Sequence, residues 1–77
     1  MVAAYVLVSV EAGKGHEVLA ALRGTRGVTQ AHECWGQPDI FTFVEVSDES
    51  ALADTVLSTI QGISGVRSTE THIVVPE

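Results

Sequence analysis

Gly24-Thr25-Arg26-Gly27-Val28 returns as Gly62-Ile63-Ser64-Gly65-Val66, 38 residues later in a chain of 77. Each copy follows a helix-like stretch and leads into a strand-like one. Glycine suits both the left-handed residue that closes a helix and the tight lead into a strand. The spacing therefore divides the chain into two β-α-β halves in tandem. Upstream, Met1 to Val10 reads as a Val-rich strand, with Val2, Ala4, Val6, Val8 and Val10 on one face and Ala3, Tyr5, Leu7 and Ser9 on the other. A strand apolar on both faces is covered on both. Ala12-Gly13-Lys14-Gly15 breaks it, and His16 to Arg23 forms a helix with Val18, Leu19 and Leu22 on one stripe. Val28 to Trp35 is strand-like but half polar, through Gln30, His32 and Glu33, which suits a sheet edge. Gly36-Gln37-Pro38-Asp39 then reverses the chain into a mostly apolar strand, Ile40 to Val46.

Ser47 or Asp48 is placed to cap a second helix, along which Leu52, Val56, Ile60 and Ile63 form an apolar face. Gly62 stops it, and a last strand runs from Val66 to about Val75 before Pro76. The order β-α-β-β-α-β, with right-handed crossovers, predicts an α+β ferredoxin-like sandwich: a four-stranded antiparallel sheet with both helices on one face. The first and third strands are then central, in keeping with their two-sided apolar character. The helices cover one sheet face only, so Tyr5, Leu7, Phe41 and Phe43, or the opposite set, face outward. A contiguous apolar patch on so small a domain marks an interface, most simply with a second copy packed sheet on sheet. Trp35, beside the hairpin turn, reads as a further oligomer contact.

Composition narrows the function classes. Ten acidic residues against four basic ones give a net charge of -6, which repels phosphate backbones, and Lys14, Arg23, Arg26 and Arg67 form no basic stripe. Direct nucleic-acid binding is not expected. The apolar runs are too short to span a bilayer, and Val2 to Val8 lacks the flanks of a signal peptide. One cysteine, Cys34, permits no intrachain disulfide and fits a reducing, cytoplasmic compartment.

Three segments resemble, in order and over nearly the whole chain, the effector-sensing RAM domain of the Lrp/AsnC (feast/famine) transcription regulators. Ala12-Gly13-Lys14 stands where that family reads Pro-Gly-Lys. Gly36-Gln37-Pro38-Asp39-Ile40 matches its Gly-x-x-Asp hairpin and following apolar strand. Gly65-Val66-Arg67-Ser68-Thr69-Glu70-Thr71 matches its Gly-Val-x-x-Thr-x-Thr run. The sequence begins directly on its first strand with no helix-turn-helix ahead of it, so it is similar to the stand-alone form of the module. The resemblance implies dimers assembled into rings, with full-length Lrp/AsnC regulators as possible partners. It also implies a free amino acid as effector, bound between dimers near the hairpin, and no cofactor.

The residues suit such a ligand. Backbone N–H groups of a Gly-containing turn can converge on a carboxylate. Gly36 and Gln37 supply that turn, and Asp39 either takes the amino group or orients the turn. Thr69 and Thr71 share a strand face and both donate and accept. Read without the resemblance, Asp39 caps its own turn and the threonines are ordinary strand residues. Other constellations carry less. His32 and Cys34 share a face, but His72 lies on the opposite edge strand, a poor zinc pattern. His16 beside Glu17 reads as helix surface, Lys14 as solvent-facing, and no catalytic residue stands out. A small dimeric α/β-barrel enzyme, monooxygenase- or isomerase-like, and a ligand-free adaptor share this topology. Fold alone does not separate them; the motifs favour a non-enzymatic regulatory module.

Overall fold

Alternating β-branched residues build the sheet; the computed structural model describes residues 1–76 of the chain. Strand β1 (Val2–Val10) is followed by helix α1 (Gly15–Arg23), then β2 (Val28–Glu33) and β3 (Ile40–Val46). Helix α2 (Glu49–Ala53) continues as a π-helical segment, Asp54–Ile60, and β4 (Val66–Ile73) closes the order. The sheet is antiparallel in the order β2-β3-β1-β4, so the two-sided apolar strands β1 and β3 are central, as the sequence predicts.

Register decides which side chains are buried. Ala4, Val6 and Val8 of β1 lie opposite Val44, Thr42 and Ile40 of β3, and all six are buried. Val18 and Leu22 of α1, with Leu52, Val56 and Ile60 of the second helix, close the core over them. Their neighbours form the uncovered face. One row across the sheet reads His32, Phe41, Leu7, Glu70; the next reads Gln30, Phe43, Tyr5, His72. Tyr5 and Phe43 pack ring to ring, with centroids 4.8 Å apart, yet Tyr5 stays 50% exposed and Phe41 43%. The outward set is therefore Tyr5, Leu7, Phe41 and Phe43.

Four local expectations are corrected. Strand β2 ends at Glu33 rather than Trp35, because β3 begins at its partner Ile40 and leaves nothing opposite Trp35. Strand β4 ends at Ile73 rather than Val75, since Ile73 meets Ala4 near the start of β1. The second helix widens after Ala53, with Gln61 N–H donating to the Val56 carbonyl at 3.0 Å. A strict four-residue spacing of Leu52, Val56 and Ile60 drifts around a 3.6-residue turn, and the wider π turn brings the three back into line. In the repeated turns the second glycine, not the first, carries the unusual backbone. Gly27 and Gly65 have φ of +94° and +101°, whereas Gly24 keeps a right-handed φ of -90°. Asp48 is the cap of the two candidates, its Oδ1 accepting the Ala51 N–H at 2.8 Å.

Candidate functional site

The β2–β3 hairpin is tied to the end of β1 through Asp39. Cys34 N–H donates to the Asp39 carbonyl at 2.7 Å, and Asp39 N–H donates to the Val8 carbonyl at 3.0 Å. Pairing of β1 with β3 stops at Val8 and Ile40, so the next β1 N–H directed to that side, that of Val10, lacks a partner on β3. Asp39 Oδ2 accepts it at 2.9 Å. Gln37 Nε2 approaches the other carboxylate oxygen at 3.4 Å. Asp39 thus replaces a missing ladder residue, and its backbone and side chain together fix the hairpin.

The hairpin separates two depressions. On the helix side lies an open cavity of about 350 Å³, lined by the β1–α1 turn (Glu11, Ala12, Gly13), by Gly15 and His16 of α1, by Glu33, by Gln37 and Asp39, and by Arg67. On the uncovered sheet face lies another of about 460 Å³, where Gln37 and Pro38 meet Leu7, Ser9, Ser68, Thr69 and Glu70. A comparable hollow of about 470 Å³ sits at the far end of the sheet, between Thr25–Gly27 and the π-helical segment. It contains no residue of the β2–β3 turn, so size alone does not pick out the site.

The expected site residues distribute as follows. Gly36, Gln37 and Asp39 are together in the hairpin. Thr69 borders the sheet-face depression, and its hydroxyl accepts from Gln61 Nε2 at 2.9 Å. Thr71 lies farther along β4 in a groove with Leu52, Val56 and Leu57, apart from the hairpin within one chain. Trp35 is fully exposed beside the turn. His32 on β2 and His72 on β4 occupy opposite edges of the sheet, and His72 Nε2 lies 2.7 Å from Glu70 Oε2. His16 faces Glu33, Nδ1 to Oε1 3.6 Å, and Lys14 reaches Glu17 at 3.8 Å. Among the described residues no three His, Cys, Asp or Glu side chains gather to hold a metal. Glu11 and Arg67 at the cavity are residues the sequence reading passed over.

Residues 3–77 match the family model described as the Lrp/AsnC ligand binding domain. The chain belongs to the Lrp/AsnC ligand-binding domain family. Among solved structures it resembles TTHA0845 from Thermus thermophilus (TM-score 0.94, 25% identity, 100% of this chain and 96% of that one). It also resembles Escherichia coli AsnC (TM-score 0.90, 30% identity, 99% of this chain and 52% of that one). The Neisseria meningitidis transcriptional regulator NMB0573, solved as an L-Met complex, shares the fold (TM-score 0.85, 24% identity, 99% and 51%). The chain spans nearly all of the Thermus protein and about half of the two regulators. No curated protein sequence matches it.

Read as an Lrp/AsnC ligand-binding domain, the chain gains a coherent centre. Three motifs far apart in sequence supply three walls of one cavity: Ala12 and Gly13, then Gln37 and Asp39, then Arg67. No helix among the described residues is long and apolar enough to cross a membrane.

Proposed function

We propose that this domain is a non-enzymatic, amino-acid-responsive regulatory module of the cytoplasm. It self-assembles through its uncovered sheet face, with Tyr5, Leu7, Phe41, Phe43 and Trp35 in contacts between copies, into dimers and rings of dimers. It acts on transcription through full-length Lrp/AsnC regulators, without touching nucleic acid itself. The effector is a free amino acid bound around Gly36, Gln37 and Asp39, with Thr69 and Thr71 on the β4 side and a neighbouring chain closing the pocket.

The observation that carries this reading is the meeting of the three motif segments at the hairpin cavity, the third through Arg67, with Thr69 beside the depression on the other side of the hairpin and Thr71 farther along β4. Family membership supplies the ligand-binding role, and a regulator with this fold has been solved with L-Met. The acidic balance, -6 overall, supports an indirect route to DNA. Titration calorimetry of the assembled protein against each proteinogenic amino acid tests it. One amino acid or a small group of them binds at millimolar concentration or below; an oligomer that binds none of them refutes the reading.

A further inference from the structure

The repeat that sets the fold also isolates one side chain. Thr29 and Arg67 occupy equivalent positions, 38 residues apart, just after the two copies of the turn. Each sits where a register shift interrupts its strand: between Val28 and Gln30 in β2, and opposite the Ser9–Val10 step in β4. A bulge of this kind re-aims its extra side chain. The Thr29 hydroxyl turns back and donates to the Phe43 carbonyl at 3.2 Å. Among the described residues Arg67 enters no ion pair, and it lines the hairpin cavity.

The charged groups around that cavity divide into engaged and free. Glu33 lies against Gly15, at the start of a helix that has no side-chain cap, and faces His16. Asp39 holds the Val10 N–H and Gln37. The Glu11 carboxylate and the Arg67 guanidinium have no ion-pair partner among the described residues, and they are of opposite sign.

We propose that this free pair is the charge-recognition element of the amino-acid site, with Arg67 taking the ligand's α-carboxylate and Glu11 its α-ammonium. The inference rests on the amino-acid reading above and deepens it. A guanidinium grips a carboxylate through two parallel N–H donors, which fixes orientation as well as charge. Asp39 is then a positioning residue that holds the hairpin wall. The other carboxylates that line the cavity are those of Glu33 and Asp39. They repel a third carboxylate, so the ligand class is an amino acid with an uncharged or cationic side chain.

The test is calorimetry on the full chain in its assembled state, with each proteinogenic amino acid as probe. Wild type, Arg67→Gln, Glu11→Gln and Asp39→Asn are compared, after circular dichroism has confirmed that each is folded. The tightest binder is expected to be uncharged or cationic. Arg67→Gln and Glu11→Gln should each weaken it roughly ten- to a hundredfold, the loss of one charged hydrogen-bonding partner. Asp39→Asn should weaken it less than either. The α-amide of the same amino acid, which lacks the carboxylate, should bind wild type and Arg67→Gln alike. If an amino acid binds and both Arg67→Gln and Glu11→Gln keep wild-type affinity, or if aspartate or glutamate binds tightest, the inference falls and the amino-acid reading stands. If wild type binds no amino acid, both fall.

Discussion

Replacing Asp39 by Ala removes the carboxylate that accepts the Val10 N–H at 2.9 Å while leaving the backbone bonds of residue 39 to Val8 and Cys34 in place. A hydrogen bond to a charged group contributes about 1.5–3 kcal/mol to stability. Asp39 is only half-buried, so water reaches part of the freed N–H, and the lower end applies. The 3.4 Å approach of Gln37 adds little at that length. The expected loss is about 1.5 kcal/mol, which in a domain of this size lowers Tm by roughly 6–12 °C. Asp39→Asn keeps a neutral acceptor in the same place and should cost about half as much. Urea unfolding at one fixed protein concentration measures both, since self-association contributes to apparent stability. The slope should stay constant and the midpoint should fall in the order wild type, Asn, Ala. An Ala variant within about 0.5 kcal/mol of wild type, the ordinary scatter for surface substitutions, would refute the role assigned to Asp39. So would an Asn variant as unstable as Ala.

Three further outcomes follow from the packing. Thr42 is buried with its hydroxyl unpartnered between β1 and β2; Thr42→Val should raise stability by about 1 kcal/mol in the same urea assay, because an unsatisfied buried hydroxyl costs that or more. Gly65→Ala puts a Cβ 2.9 Å from Lys14 Cβ on a backbone with φ +101°, so it should destabilise by about 1–3 kcal/mol, whereas Gly24→Ala, in right-handed backbone, should be far milder. Leu7→Asp places a charge in the middle of the outward apolar rows; light scattering should then report monomers where wild type gives dimers or larger, and an unchanged mass would show that copies meet elsewhere.

The fold was legible because three signals agree: the repeated turn, the alternation of Val2 to Val10, and the half-polar character of Val28 to Glu33. Side-chain period fixed β1 and β3 as central and therefore identified Tyr5, Leu7, Phe41 and Phe43 as a group, although only register told which set faces outward. Strand ends were less legible. Trp35 and Val75 look like strand residues, and what ends their strands is the length of the partner, a tertiary fact. The π-helical turn was hidden because Leu52, Val56 and Ile60 satisfy an α pattern nearly as well. The motifs pointed to Gly36, Gln37, Asp39, Thr69 and Thr71, of which the hairpin cavity gathers Gln37 and Asp39, while Glu11 and Arg67, which also line it, went unnoticed. Arg67 looks like one of four scattered cations until the bulge in β4 brings it to the hairpin. The repeat held a clue, since Thr29 and Arg67 are equivalent positions of very different chemistry, but a bulge leaves no mark in hydrophobic period.

Amide chemical-shift mapping of the labelled domain during titration with the amino acid that binds best by calorimetry tests the central claim most directly. The perturbed N–H groups should cluster on Glu11 to Gly13, on Gln37 and Asp39, and on the bulge around Arg67, three segments that meet only in the folded chain. Titration that moves none of these, or that concentrates its shifts on Thr25 to Gly27 and the π-helical segment at the opposite end of the sheet, would contradict the account.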